Sequence, residues 1–393
     1  MSSGFDAIVI GVGAMGSAAL HHLAARGKRV VGLERFDIPN SMGSSHGVNR
    51  IIRMAYFEDP SYVPLLRRSY ELWRELEETA GERLVVITGG VDAAPVDHRV
   101  FTGSLESCRT HGLDHQVLEA GEVNRRYPGY RLPEGHMAVY QPDGGYVMSE
   151  RGIVAHVNAA LAAGAEVRGR EAVLGWSEQG DGVRVETSRG TYRADRLVVT
   201  AGAWSMGLLD FLDGLAVPER QVLGWFQPRV PARFTPETFP IFNLEVEEGH
   251  FYGFPVETIP GFKIGRYHHL GEVVDPDTME REPSAEDERV LREAVDRYFP
   301  DASGPTLTLK TCLFTNTPDE HFVVDRHPEL PQVVVAAGFS GHGFKFSSVI
   351  GEILADLAVD GSTRHDINLL RFDRLRETAT PSSDRPTPTA PVR

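Results

Sequence analysis

A chain of 393 residues suggests two domains, or one large domain carrying an insertion, and is long enough for a sizeable core. The composition is that of an ordinary globular protein, and a formal net charge of −15 argues against a nucleic-acid surface, which needs clustered Lys and Arg. No apolar run approaches a membrane span and the N-terminus reads as strand rather than signal peptide, so a cytoplasmic protein without membrane partners is expected.

The stretch FDAIVIGVGAMGSAALHHLAARGKRVVGLE, from Phe5 to Glu34, has the order of a dinucleotide-binding βαβ unit. An apolar run, Ala7 to Ile10, enters a turn in which Gly11, Gly13 and Gly16 take the GxGxxG positions. Gly11 permits the turn, Gly13 leaves room for a pyrophosphate, and Gly16 lets the following helix pack closely on the strand. That helix, from Ala14 to about Arg26, would present its N-terminus to the phosphates. A second strand follows at Val30–Leu33 and ends at Glu34, placed to accept ribose hydroxyls. The acid disfavours NADP and leaves FAD and NAD open. A glycine motif so near Met1 is usual where FAD binds extended.

Residues 36–62 are rich in Ser, Gly and Asn and read as a loop leading into a short helix. Helical spacing follows from Tyr62 to about Leu76, then a strand, glycine turn and strand over 84–94, and short helices with a Pro128-Gly129 turn over 112–130. A helix over 149–163 leads to period-two strands and back to the nucleotide unit at Arg196–Thr200, ending in Ala201-Gly202-Ala203. From Pro218 to about Thr308 aromatic-rich strands predict a separate antiparallel sheet roofing the cofactor, with an acidic helix at 285–298. Strand 332–336, loop 337–343 and helix 344–359 close the structured part, and the Pro-, Ser- and Thr-rich tail after Thr378 reads as disordered.

Cys108 and Cys312 allow at most one bridge, and the 15 histidines contain no metal motif, so no metal site is expected. Taken alone, Cys312 would be a small buried hydrophobe, the loop arginines Arg50 and Arg53 solvated, Lys263 an edge-strand lysine and Tyr252 core packing. Lys345 is different: a cation at the start of a helix opposes the dipole, which favours a functional reading.

Two segments taken together, KTCLFTNTPDEHFVVD and AAGFSGHGFKFSS, resemble the monomeric sarcosine oxidase and N-methyltryptophan oxidase group of flavoenzymes, and the resemblance spans nearly the whole chain. It implies an α/β fold, a Rossmann-type FAD-binding domain with an inserted antiparallel β-sheet substrate domain. Residues 1–80, 145–217 and 309–377 would form the FAD-binding domain, 81–144 and 218–308 the substrate-binding domain, and 378–393 a disordered tail. The resemblance further implies FAD joined covalently to Cys312, a small-molecule amine substrate, O2 as acceptor and a monomeric state.

Residue by residue, the resemblance places Gly341, His342, Gly343 and Lys345 around the flavin, with Lys345 also binding substrate carboxylate beside Arg53. His46 and Arg50 fall in the loop over the flavin face, Lys263 in GFKIG matches an oxygen-activating lysine, and Tyr252 matches a substrate-pocket tyrosine. His268 matches a pocket histidine, although RYHH carries one more residue after the lysine than some relatives, which leaves His268 and His269 unseparated. Ser45, Val48 and Asn49 depart from the family pattern, and Phe314 stands where a tyrosine is common. The activity implied is oxidative demethylation of a secondary N-methyl amino acid, giving formaldehyde, the demethylated amino acid and hydrogen peroxide. N-methyl-L-tryptophan, pipecolate or a deglycating substrate are same-fold alternatives. An NAD-dependent dehydrogenase and a non-catalytic nucleotide-binding module are alternatives of other classes.

Overall fold

In the computed structural model, which describes residues 4–257 and 261–378, three sheets are built from strands far apart in the chain. The tail expected to be disordered lies outside the described residues. The first sheet centres on Phe5–Ile10, parallel to Val30–Leu33 on one side and Thr191–Val199 on the other. The strand Thr191–Val199 changes partner midway: its first half pairs with the hairpin strand Gly182–Thr187, its second with Val333–Ala337. Runs such as Val333–Ala337, buried at every position, are what a parallel sheet covered on both faces requires. Helices Ala14–Ala25, Ser149–Ala162 and Ser347–Asp360 pack together over it. A Cβ at Gly351 would lie 2.5 Å from Ala18, so two of these helices touch backbone to backbone.

The second sheet runs Thr306–Asn316, Val217–Phe226, Phe262–Arg266, Gly249–Phe254, Ile241–Val246, Gly90–Pro95, His136–Gln141, Gln116–Glu119. It is antiparallel except where Ile241–Val246 lies parallel to Gly90–Pro95, a join between two separate stretches of sequence that no hairpin could make. One face carries Phe226, Phe242 and Phe262 against the helix Ala285–Tyr298, which begins at a Ser284–Asp287 capping box. The other carries Leu223, Trp225, Tyr252, Phe254 and Cys312. The alternation of these aromatics along each strand therefore separates a structural face from a face available for chemistry.

The small third sheet departs from expectation. Its strands are Asn49–Ile52, Gly145–Met148 and Val85–Ile87, so part of the expected loop 36–62 is strand. Asn49–Ile52 is too short to signal itself locally, and its pairing is settled by a partner distant in the chain. No short α-helix forms there; a single 3₁₀ turn, Pro60–Tyr62, precedes the helix Val63–Ala80, which ends at left-handed Gly81. Gln116–Glu119 is likewise strand within a stretch read as helical.

Candidate active site

A cavity of about 320 Å³ runs along the carboxyl ends of the first sheet, lined by Gly11–Met15, Glu34, Ser44, Ser45, Arg50, Thr200–Trp204, Phe314, Gly338, Gly341 and Gly343 among others. At one end, helix Ala14–Ala25 starts at Gly13 with no side-chain cap and no acidic residue in its first turn. Its free N–H groups and positive dipole end are thus left for an anion. A Cβ on Gly16 would fall 1.8 Å from Gly11 O, which fixes glycine there, whereas the nearest atom to one on Gly13 is Ser45 Oγ at 3.7 Å. The buried Glu34 carboxylate accepts from Val12 N–H at 2.8 Å and Phe36 N–H at 2.9 Å, and burial raises its pKa. Those amides aim it at the cavity with lone pairs to spare for ribose hydroxyls.

Arg50 also lines the cavity, and Cys312 and His46 lie beside it. Arg50 donates to Ser44 O at 2.8 Å and Asn49 O at 2.9 Å, with Nη2 3.5 Å from Cys312 Sγ. Burial pushes the thiol up, but the His46 hydrogen bond and the Arg50 charge outweigh it and bring the pKa down to about 7. His46 Nε2 and Thr315 Oγ1 are buried without a hydrogen-bond partner. Orphaned polar atoms at the thiol and in the cavity wall, a bare helix start and an aimed carboxylate fit a flavin dinucleotide.

Lys263 sits beside this cluster, 1% exposed, donating to Gly47 O at 2.8 Å, Asn49 O at 2.7 Å and Asn49 Oδ1 at 2.9 Å. Burial and the neighbouring Arg50 pull its pKa below the lysine range. Three acceptors, however, use all three N–H bonds and leave no room for a lone pair, so the hydrogen-bond set demands the ammonium. Faces of Phe254 at 4.3 Å and Trp225 at 5.5 Å complete its surroundings. Asn49, noted in the sequence only as a departure, supplies two of the three acceptors. The loop is held from behind by Glu150, which accepts from Gly47 N–H at 2.7 Å and Val48 N–H at 3.0 Å. Val48 there has φ 77°, strained for a β-branched residue. Nothing in the sequence singled out Glu150.

Arg53 and Lys345 are brought together, both buried, but Arg53 is already engaged. Its Nη2 donates to Glu58 Oε1 at 2.8 Å and Oε2 at 2.7 Å, and Nη1 to Ala55 O at 2.5 Å. Burial opposes the Glu58 charge, yet Arg53 holds its pKa down to about 2. Expected as a free fork for substrate, Arg53 has its fork filled by an acid five residues on; the run Phe57-Glu58-Asp59 was the available signal. Lys345 Nζ donates to His342 O at 2.7 Å over the Tyr56 ring at 5.1 Å, and burial, then Arg53, lowers its pKa to about 7. His342 itself turns away from the cavity: Nδ1 lies 2.5 Å from Tyr56 Oη and Nε2 2.9 Å from Glu320 O. Burial brings its pKa to about 4, so a neutral ring accepts from the phenol and donates to the carbonyl. Of the expected flavin loop, Gly341 and Gly343 line the cavity and the His342 side chain does not. A Cβ at Gly341, φ 80°, would be 2.4 Å from the Phe314 ring, so the loop lies directly on that ring.

Tyr252 stands on the inner face of the second sheet between Phe254, ring centroids 6.3 Å apart, and Tyr267, 5.2 Å. Neither histidine of RYHH joins it. His268, φ 55°, has its side chain 45% exposed and placed between Glu219 at 3.0 Å and Glu320 at 3.1 Å, whose hydrogen bonds raise its pKa to about 9. His269 is buried against Asp287 at 2.8 Å, a carboxylate also clasped by Arg220. Both serve ion-pair networks beside the site. Among the described residues no group of three or more His, Cys, Asp or Glu is arranged to hold a metal, and no helix is long and apolar enough to cross a membrane.

Comparison with known proteins gives the family. The chain is 45% identical over 388 residues to a monomeric sarcosine oxidase of Streptomyces avermitilis, covering 97% of this chain and 100% of the relative. It is 33% identical to an N-methyl-L-tryptophan oxidase of Yersinia pestis, covering 95% and 100%. Among solved structures, NikD, an unusual amino acid oxidase essential for nikkomycin biosynthesis, superposes with a TM-score of 0.82 at 27% identity, covering 94% of this chain and 98% of that one. The model of the FAD dependent oxidoreductase family matches residues 6–357. An α/β dinucleotide fold, a cavity along the carboxyl ends of its parallel sheet and a match over nearly the whole chain place this protein in the FAD dependent oxidoreductase family.

Proposed function

We propose that the protein oxidises the N-methyl group of a secondary amino acid, in the manner of a sarcosine oxidase, releasing formaldehyde and the demethylated amino acid while O2 becomes hydrogen peroxide. The observation that carries this reading is a pair of buried lysines, one beside the thiol and one beside Arg53. Lys263 is a fixed ammonium beside Arg50 and Cys312, and Lys345 is a buried amine beside Arg53.

When bound, FAD supplies the acceptor for the two electrons of the C–H bond and the means of passing them to oxygen. The chain's own residues do the rest. Arg53 and Lys345 bind the carboxylate, with Arg53 exchanging or sharing its Glu58 partner. The rings of Tyr252 and Phe314 exclude water and hold the amine with its methyl carbon toward the cavity. Lys263 offers positive charge where negative charge develops on oxygen, and its three fixed acceptors mean that it need not reorganise. His46 and Arg50 favour the thiolate of Cys312, which fits a thioether to the flavin 8-methyl group. The names of relatives such as the Streptomyces avermitilis enzyme support a monomeric state.

Anaerobic addition of sarcosine, or of N-methyl-L-tryptophan, is expected to bleach the flavin band of the purified protein. Admitting air should restore it, with one peroxide and one formaldehyde per substrate consumed. A colourless protein turning over with nicotinamide would replace this reading with the dehydrogenase. Colour that remains with acid-precipitated protein, lost in Cys312→Ser, would support covalent attachment.

A further inference from the structure

Between the carboxylate of Glu150 and the ammonium of Lys263 stands one short segment, Gly47–Asn49, whose backbone is taken up by those two groups and the chain beside it. Glu150 accepts from Gly47 N–H at 2.7 Å and Val48 N–H at 3.0 Å, and Lys263 Nζ donates to Gly47 O at 2.8 Å and Asn49 O at 2.7 Å. Val48 O accepts from Ser149 N–H at 2.8 Å, and Asn49 N–H turns back to Gly47 O at 3.0 Å. Every backbone polar group of the segment is thus paired.

The Gly47 carbonyl and the Val48 amide belong to one trans peptide unit, in which the two groups point in opposite directions. That unit is a bridge, with its N–H on the carboxylate and its C=O on the ammonium. Left-handed backbone at Gly47, φ 94°, and Val48, φ 77°, turns it into this position, and a β-branched residue keeps such an angle only where its surroundings fix it. Glu150 lies in the first turn of helix Ser149–Ala162, where the dipole alone would account for an acid. Its oxygens are nevertheless filled by the two loop amides and by the Ser149 hydroxyl at 2.6 Å. Burial opposes its ionisation, but the Ser149 bond and the loop amides outweigh burial and hold its pKa below the usual glutamate range. Burial is also what most disfavours the Lys263 ammonium; of the charged groups that face it, Arg50 opposes it, while Glu150 and Cys312 favour it. Glu150 is the one hydrogen-bonded to the peptide that Lys263 holds.

We propose that Glu150 is a positioning residue for the reaction with oxygen, keeping Lys263 a charged ammonium through the Gly47–Val48 peptide. This rests on the oxidase reading above, which puts Lys263 where negative charge develops on oxygen. A carboxylate in direct contact would cancel the charge it stabilised. Set one peptide away, Glu150 favours the ammonium and polarises the carbonyl that holds it, yet leaves the charge free to act.

The test reduces the flavin of the loaded protein photochemically, so that no amine is needed, and follows reoxidation on mixing with O2. Glu150→Gln keeps a carbonyl acceptor and removes the charge, which lowers the Lys263 pKa, so the ammonium is lost as pH rises. The ratio of wild-type to variant reoxidation rates is therefore expected to grow by about 10-fold from about pH 6 to about pH 9, while reduction by sarcosine or N-methyl-L-tryptophan stays within about 2-fold. A second readout needs no turnover. Glu150→Gln is expected to raise the unfolding equilibrium constant by about 10-fold in the wild-type background and by no more than about 3-fold in Lys263→Met, where there is no cation left to favour. Equal slowing of both half-reactions, a ratio independent of pH, or the same unfolding change in both backgrounds would overturn the assignment and leave Glu150 a loop anchor only. If Glu150→Gln does not load flavin, Glu150→Asp decides: reoxidation slowed by more than reduction supports the bridge, and any other outcome overturns it. A wild-type flavin that neither amine bleaches, but whose photoreduced form reoxidises as expected, sinks the amine reading and leaves this inference standing. Bleaching by amine with reoxidation indifferent to Glu150 does the reverse.

Discussion

The two buried lysines proposed for the site, Lys263 and Lys345, are held in opposite ways. Lys263 spends every N–H on Gly47, Asn49 and the Asn49 side chain, inside a loop fixed from behind by Glu150. Lys345 has one acceptor, the His342 carbonyl, and a pKa brought to about 7 by burial and Arg53. Burial is alike for the two, at 1% and 4% exposure, so it does not decide their character. The number of fixed acceptors does: a saturated ammonium is a permanent charge, and an unsaturated one responds to what arrives.

The largest effect should come from removing the permanent charge. Lys263→Met is expected to slow flavin reoxidation by about 10²-fold, the scale of a lost preorganised electrostatic group, while reduction by amine changes little. Stopped-flow measurement of the two half-reactions checks this, and equal losses in both would erase the distinction between the lysines. Asn49→Ala sharpens the same point, because it leaves one ammonium N–H without its acceptor. The expected cost is about 1–3 kcal/mol of stability, read from denaturant midpoints, with a smaller loss in reoxidation than Lys263→Met.

The responsive lysine predicts a pH dependence. An arriving carboxylate favours protonated Lys345 and raises its pKa above about 7, so affinity is fully present below that value and is lost as pH rises through it. The slope should approach about tenfold per pH unit in acetate titrations and flatten in Lys345→Met. The smallest effect is expected at Val48. Glycine there releases about 1–3 kcal/mol of strain at φ 77° but adds about 1 kcal/mol of unfolded-chain entropy, leaving a slight net gain in thermal stability.

Most of the nucleotide half was legible because its signals are local. The glycine turn, the apolar strands and the helix Ala14–Ala25 each follow from adjacent residues. The helix Ala285–Tyr298 was equally plain from its acidic run, and the structure adds a capping box at its start. What could not be read depends on partners remote in sequence. Asn49–Ile52 becomes a strand only through Gly145–Met148, and Glu150, two residues past that partner, pins Gly47 and Val48. The filling of Arg53 by Glu58 was within reach, since the two lie in one short run, but a charge pair there could equally have been solvent-exposed. Along RYHH the failure was one of register: which side chain faces inward is fixed by pairing with Gly249–Phe254, and a count from Lys263 does not supply it.

The uncapped start of helix Ala14–Ala25 has a consequence for how the protein is made in a cell. Its first-turn N–H groups would find acceptors in the phosphates of a bound cofactor, so cofactor binding would add directly to folding stability, by about 2.7 kcal/mol when free FAD stands at 100 times its dissociation constant. Newly made chains are therefore expected to resist proteolysis better when flavin is plentiful. Under the proposed Cys312 linkage that dependence ends once the bond forms. A cell short of riboflavin would hold fewer molecules of the protein, each fully loaded.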